Sequence, residues 1–120
     1  MKLVHVTISV ADMAQSLHFY ETILGMPIVR RFAAGPGREI VFLSAGETSI
    51  ELIASADKTE ISVGADISLG FEVPSLAEMT ALLAANGIAA TDVISPQPGV
   101  SFIFANDPNG VRVQFVETHA

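Results

Sequence analysis

The sequence repeats itself at an interval of 63 residues, and this repeat constrains the fold more than any other feature. The shift places Asp12 on Ser75, and it brings Gly25 to within one position of Gly87. A repeated hydrophobic pattern of this kind indicates a structural module that occurs twice in the chain. The two copies are therefore predicted to fold alike, with repeat one at about 1–56 and repeat two at about 64–120.

Two polar positions differ between the copies. His5 of the first copy falls on Ser68 of the second, and Glu51 falls on Gln114. A module that keeps its apolar pattern and varies two polar positions indicates a ligand site built between the copies.

Each copy is predicted to contain a strand, a helix and three further strands. Residues 3–10 alternate between apolar and polar side chains, which is typical of a half-buried strand. Asp12 with Gln15, and Ser75 with Glu78, are capping-box pairs that begin the two helices. The first strand of the second copy is predicted at 67–73. The three further strands are predicted at 27–32, 39–43 and 48–54 in the first copy, and at 91–93, 101–104 and 111–117 in the second.

The helix of each copy must cover one face of its sheet, so that face is predicted to be apolar. The opposite face carries polar side chains and is left to solvent or to a ligand. If the sheet curls, this face becomes a concave cleft of the kind that binds small molecules. The polar residues of this face are His5, Thr7, Ser9, Glu51, Ser68, Arg112 and Gln114.

Length and composition exclude several classes of protein. A chain of 120 residues is predicted to form a single domain, residues 1–120. The net charge of −7 disfavours nucleic acid as a partner. No apolar run approaches the roughly 20 residues that span a membrane, no secretion signal is visible, and cysteine is absent. We therefore expect a cytoplasmic protein with no nucleic-acid and no membrane partner.

The chain resembles the vicinal oxygen chelate superfamily, which includes glyoxalases, bleomycin-resistance proteins and dioxygenases. The resemblance lies in HVTISVADM at 5–13, SLHFY at 16–20, LGM at 24–26, IEL at 50–52, and DPNG with VQF within 107–115. It implies an α+β fold of two tandem βαβββ modules that form a cupped mixed sheet. It also implies a homodimer that binds a small-molecule ligand.

The resemblance further implies a metal site that takes one side chain from each of four strands. His5 and Glu51 match the first two metal positions of the family. Gln114 stands where many members have Glu, and Ser68 stands where many have His. The expected cofactor is a divalent ion (Zn, Ni, Mn or Fe), with His5, Glu51 and Gln114 as its ligands. Only one matching position is His, which disfavours the ring-cleaving dioxygenase chemistry of the family.

One function implied by the resemblance is that of a metal-dependent lyase or isomerase. Such an enzyme polarises a carbonyl or enediolate oxygen, and here Glu51 would be the catalytic group that moves the proton. Arg112 is expected to bind an anionic part of the substrate, with Ser68, Thr7 and Phe104 around it. An ion pair between Arg112 and a neighbouring Glu explains that arginine equally well.

The alternative is a metal-free protein that binds and sequesters a drug or antibiotic, as the bleomycin-resistance members do. Ser68 and Gln114 favour this function, since neither is a strong metal ligand. The negative net charge would suit a cationic ligand. The absence of Trp and the presence of only one Tyr disfavour the function, because the sequestering members of the family often stack their ligand on aromatic rings, chiefly Trp.

Overall fold

The computed structural model describes residues 1–119 and divides the chain into two compact units, Met1–Ser62 and Val63–Ala120. Each unit contains one helical segment and one mixed sheet of four strands. The predicted α+β class with two βαβββ modules is therefore confirmed. Within residues 1–119, no helix is long and apolar enough to cross a membrane.

In the first unit the sheet has the strand order β1-β4-β3-β2. Strand β1 is parallel to β4, while the pairs β4–β3 and β3–β2 are antiparallel. Its elements are β1 (His5–Ser9), α1 (Met13–Leu17), a π-helical segment (His18–Ile23), β2 (Ile28–Ala33), β3 (Arg38–Ala45) and β4 (Thr48–Ser55).

The second unit has the same topology, with the strand order β5-β8-β7-β6. Strand β5 is parallel to β8, and the remaining pairs are antiparallel. Its elements are β5 (Ser68–Glu72), α2 (Leu76–Ala85), β6 (Ile94–Gln97), β7 (Val100–Asn106) and β8 (Arg112–Thr118).

The 63-residue repeat is preserved in the pairing of the parallel strands. Thr7 lies opposite Glu51 in the first unit, and Gly70 lies opposite Gln114 in the second. A one-residue slip in either pair would turn every side chain of a strand to the other face. The two units therefore present corresponding positions on corresponding faces.

The helices explain why Gly25 and Gly87 are one position out of step. Both glycines follow the end of a helix and have positive φ, of 75° and 69°. The first helical region is one residue longer than α2, and its second half is the π segment His18–Ile23, where the N–H of Leu24 reaches the carbonyl of Phe19. A π turn takes up an extra residue without lengthening the connection.

Both predicted helix caps are confirmed. The side chain of Asp12 accepts a hydrogen bond from the backbone N–H of Gln15 at 3.1 Å. Ser75 accepts one from the N–H of Glu78, also at 3.1 Å. These bonds satisfy backbone donors that have no partner within the helix.

The helix-facing side of each sheet is apolar, as the alternation predicted. In the first unit α1 packs against β4, and in the second unit α2 packs against β7 and β8, so the buried side chains of this face lie beneath the helices. The strand members are Ile8, Val41, Leu43, Ile50 and Leu52 in the first unit, and Ile103, Ala105, Val113 and Phe115 in the second.

The strand predicted at 91–93 is wrong. The strand is β6, Ile94–Gln97, and it contains Pro96. Strand β6 lies at the edge of its sheet, where a missing N–H costs no ladder hydrogen bond on the open side. The other predicted strands agree with the structure to within two residues at each end.

Replacing Asp12 by Ala removes the cap of α1 and should lower the free energy of unfolding by about 1 kcal/mol. Urea denaturation measures this change as a lower midpoint at an unchanged slope. Asp12→Asn keeps a side-chain oxygen acceptor and is the matched control. Equal midpoints for Asp12→Ala and the wild type would contradict the role of this cap.

Candidate functional site

Four side chains form one row across the solvent-facing side of the first sheet, and we call this set the central row. It comprises Arg30 on β2, Phe42 on β3, Glu51 on β4 and Thr7 on β1. Each lies directly opposite the next in the strand register. Directly opposed side chains on one face have Cβ atoms about 5 Å apart, so they are in contact range.

His5 lies beside the central row and forms a polar pair with Glu51. It lies two residues before Thr7 on the same strand, and therefore on the same face. Its Nε2 is 3.7 Å from Oε1 of Glu51. The hydroxyl of Thr7 donates a hydrogen bond to the same oxygen at 2.5 Å. Both contacts involve Oε1 of Glu51. Oε2 takes part in neither of them.

Glu51 is much less exposed than its histidine partner. The Glu51 side chain is 13% exposed, and the His5 side chain is 42% exposed. Electrostatic interactions are stronger where water is partly excluded, so the charge of this carboxylate acts more strongly on neighbouring groups than that of a fully exposed carboxylate would. The His5 ring is also placed by Phe42, which it meets edge to face at 5.7 Å between centroids.

The geometry of His5 and Glu51 fits two ligands of a divalent ion. Two ligands about 2.1 Å from a tetrahedral zinc ion are about 3.4 Å apart. The observed separation of 3.7 Å between Nε2 and Oε1 is close to this value. No group of three or more His, Asp or Glu side chains suited to a metal occurs within residues 1–119. His5 and Glu51 alone would supply two of the four metal positions expected from the sequence.

The corresponding positions of the second unit have different chemistry. Ser68 lies directly opposite Arg112, and Gln114 lies opposite Gly70. The guanidinium of Arg112 is on the same strand face as Gln114, two residues away, and its charge opposes a cation there. Gln114 as a third metal ligand remains a prediction. The position that corresponds to His5 is Ser68, whose hydroxyl is uncharged.

Arg112 lies over an aromatic ring rather than beside a carboxylate. Its Cζ is 3.9 Å from the centroid of Phe104, which is a cation–π contact. Among residues 1–119 no carboxylate lies within 4.0 Å of it, so the ion pair considered from the sequence is absent from the described part of the chain. Both residues line an open groove of about 370 Å³, together with Ala89 and Thr91.

Two members of the central row, Arg30 and Phe42, were not identified from the sequence. A signal for Phe42 was present: the helices change the offset between the copies from 63 to 62, and this offset places Phe42 on Phe104. Arg30 gave no such signal, because its face depends on an irregularity between Ile28 and Arg30 in the pairing of β2 with β3.

Residues 2–115 match the Glyoxalase/Bleomycin resistance protein/Dioxygenase superfamily. The chain belongs to this superfamily. Curated relatives include the lactoylglutathione lyase of Neisseria meningitidis, 28% identical over 125 residues, covering 98% of this chain and 91% of that protein. The lactoylglutathione lyase of Salmonella typhimurium is 29% identical over 126 residues, covering 98% and 93%.

Solved structures have the same fold at lower identity. The trypanothione-dependent glyoxalase I of Leishmania major aligns with a TM-score of 0.83 at 22% identity, covering 98% of this chain and 86% of that chain. A glyoxalase family protein from Enterococcus faecalis aligns with a TM-score of 0.77 at 22% identity, covering 97% of each chain. At this identity the likeness concerns the fold alone.

Replacing both His5 and Glu51 by Ala should weaken Zn²⁺ binding by more than about tenfold, since loss of outer-shell partners alone has an effect of this size. Calorimetric titration with Zn²⁺, Ni²⁺ and Mn²⁺ measures the change. The matched control is His119→Ala, which removes a second His–Glu contact, 3.1 Å between Nδ1 of His119 and Oε2 of Glu117. Equal affinities of the double variant and the wild type would contradict a metal site at His5 and Glu51.

Proposed function

We propose that the protein is a lyase or isomerase of a small carbonyl compound, with Glu51 as the group that moves the proton. The observation that carries the proposal is the convergence of His5 and Thr7 on one oxygen of a mostly buried carboxylate. The relatives named lactoylglutathione lyase support a reaction in which a compound of the lactoylglutathione type, that is, a thioester of a 2-hydroxy acid, is one of the two reacting species that the enzyme interconverts.

The residues of the first unit are suited to proton transfer between neighbouring carbons. Thr7 holds Oε1 of Glu51, so that Oε2 has a fixed direction. This oxygen accepts a proton from the carbon next to a carbonyl group and returns it to the adjacent carbon. The result is an isomerisation that converts a thiohemiacetal of a 2-oxoaldehyde into a 2-hydroxy thioester, with no net gain or loss of electrons.

The divalent ion of the proposal would be held by His5 and Glu51, whose separation fits two ligands. When bound, such an ion supplies Lewis-acid polarisation of a carbonyl oxygen. Thr7 contributes by fixing the carboxylate, and Phe42 contributes by fixing the imidazole. Gln114 is predicted from the sequence to be a further ligand of this ion.

The second unit is proposed to bind an anionic part of the substrate. Arg112 keeps its N–H groups available at the edge of a guanidinium whose flat side covers Phe104. A planar carboxylate can accept two parallel hydrogen bonds from such a group. Ser68, directly opposite Arg112, offers a hydroxyl in the same place.

Glu51→Gln should lower kcat by about 10²-fold or more, because the amide keeps the shape and removes the base. The measurement is the formation of lactoylglutathione from glutathione and the 2-oxoaldehyde that corresponds to the lactoyl group, in the presence of Zn²⁺, Ni²⁺ or Mn²⁺. Thr7→Val should reduce kcat by a smaller factor, since it removes only the hydroxyl that fixes Glu51.

Thr7→Ser is the matched control, since it retains that hydroxyl and should retain most of the activity. A wild-type protein that binds metal and forms no thioester would overturn the lactoylglutathione substrate. Full activity of Glu51→Gln would overturn the role of Glu51 with any substrate.

The second candidate function is metal-free binding of a small molecule. It is favoured by the second unit, in which the groove at Arg112 and Phe104 has no accompanying metal ligand of high affinity. The arginine in this groove fits an anionic ligand better than the cationic drug considered from net charge alone. A ligand that raises the melting temperature without added metal, and does so only when Arg112 is present, would support this function.

A further inference from the structure

Arg30 lies against two aromatic rings beside the His5–Glu51 pair. Its Cζ is 4.5 Å from the centroid of Phe42 and 5.5 Å from that of Phe32. The two rings are nearly parallel, with 16° between their planes and 6.5 Å between their centroids. Phe42 also contacts the His5 ring, so one phenylalanine separates the guanidinium from the imidazole.

The hydrogen-bond donors of Arg30 have no carboxylate partner. Among residues 1–119 no Asp or Glu oxygen lies within 4.0 Å of its guanidinium. A guanidinium that stacks on rings uses its flat side, and its N–H groups then point outward from its edge. This is the arrangement that accepts a carboxylate or phosphate through two parallel hydrogen bonds.

The neighbouring Arg31 shows what a structural arginine looks like on the same strand. Its Nε donates to Oε2 of Glu39 at 2.9 Å, and its second nitrogen is 3.4 Å from Oε1. The hydrogen bond to Glu39 raises the pKa of Arg31 above its usual value. Arg31 is therefore satisfied within the fold, whereas Arg30 is not.

An irregularity in β2 turns Arg30 toward the site. Ile28 pairs with Leu43, and the next registered pair is Arg30 with Phe42, so Val29 is an extra residue. If the pairing stayed regular beyond Ile28, Val29 would lie opposite Phe42, and Arg30 would point to the opposite face, since side chains alternate along a strand. β-Bulges re-aim side chains in this way and are frequent beside active sites.

We infer that Arg30, supported by Phe42 and Phe32, is a binding subsite for the oxyanion (a carboxylate or a phosphate) of the ligand. The link to catalysis, with the ligand's carbonyl at His5 and Glu51, rests on the proposed function, but the oxyanion subsite itself needs neither metal nor turnover. A cation here has a physical purpose, because the chain carries a net charge of −7 and Glu51 is close. An anionic ligand would otherwise be repelled.

Phe32 adds an apolar contact to this subsite. Its ring is on the side of the sheet that holds Arg30, and the residue is 40% exposed. An apolar carbon chain attached to the oxyanion would cover this ring and remove it from water. The ligand class is therefore an anionic compound, with a carboxylate or phosphate attached to an apolar chain and to the carbonyl group that reacts, rather than a neutral aldehyde.

The test is a titration of the metal-free protein with two probes, pyruvate and inorganic phosphate, at constant ionic strength. NMR follows the Nε–Hε signal of Arg30 and the amide signals of Phe42. We expect saturable shifts of these signals, and a dissociation constant that rises about tenfold or more in Arg30→Gln. Arg30→Lys keeps the charge without the planar fork and should lie between the two.

The matched control is Arg31→Gln, which removes an arginine from the same strand and leaves the central row intact. Saturation by pyruvate alone identifies a carboxylate subsite, and saturation by phosphate alone identifies a phosphate subsite. Unchanged binding in Arg30→Gln, an equal loss in Arg31→Gln, or no saturable shift with either probe would overturn the inference. Melting temperatures of the variants show that each one is folded.

These results separate the subsite from the proposed function. Arg30-dependent binding in a protein without lyase or isomerase activity would leave the oxyanion subsite and remove the reaction. Metal-dependent activity with a KM that is the same in Arg30→Gln and in the wild type would leave the reaction and remove the subsite.

Discussion

The parallel pairing of β1 with β4 is the constraint on which the candidate site depends. It sets Thr7 opposite Glu51, and the alternation along β1 then brings His5 to the same carboxylate. Parallel neighbours cannot be joined by a tight turn, so the chain must return through a longer connection. The capped helical region is part of that connection, and its apolar side covers the face of the sheet opposite the site.

The same pairing in the second unit carries different side chains. Gly70 replaces the residue that would correspond to Thr7, and a Cβ at this position would be 3.3 Å from Oε1 of Gln114. A bulkier residue would therefore crowd the amide. Arg112 takes the place that corresponds to Ser49, opposite Ser68. The same strand pairing thus presents an imidazole and a carboxylate in the first unit, and a guanidinium and an amide in the second.

Sequence periodicity was sufficient to predict the faces of the strands, because burial on one side imposes a period of two. The period of two therefore predicts that His5, Thr7 and Glu51 share one face of the sheet. Periodicity was insufficient where the conformation or the face of a residue depends on its surroundings in the fold. Six residues of a helical stripe do not distinguish an α from a π turn, and Pro96 is acceptable only because β6 is an edge strand. The face of Arg30 depends on how β2 pairs with β3.

The unpaired Val29 means that the cation opposite Phe42 depends on how β2 pairs with β3 as well as on the composition of β2. Regular pairing beyond Ile28 would set the aliphatic side chain of Val29 opposite Phe42, with no substitution at either position. Two chains with the same residues in β2 can therefore present different charges on this surface.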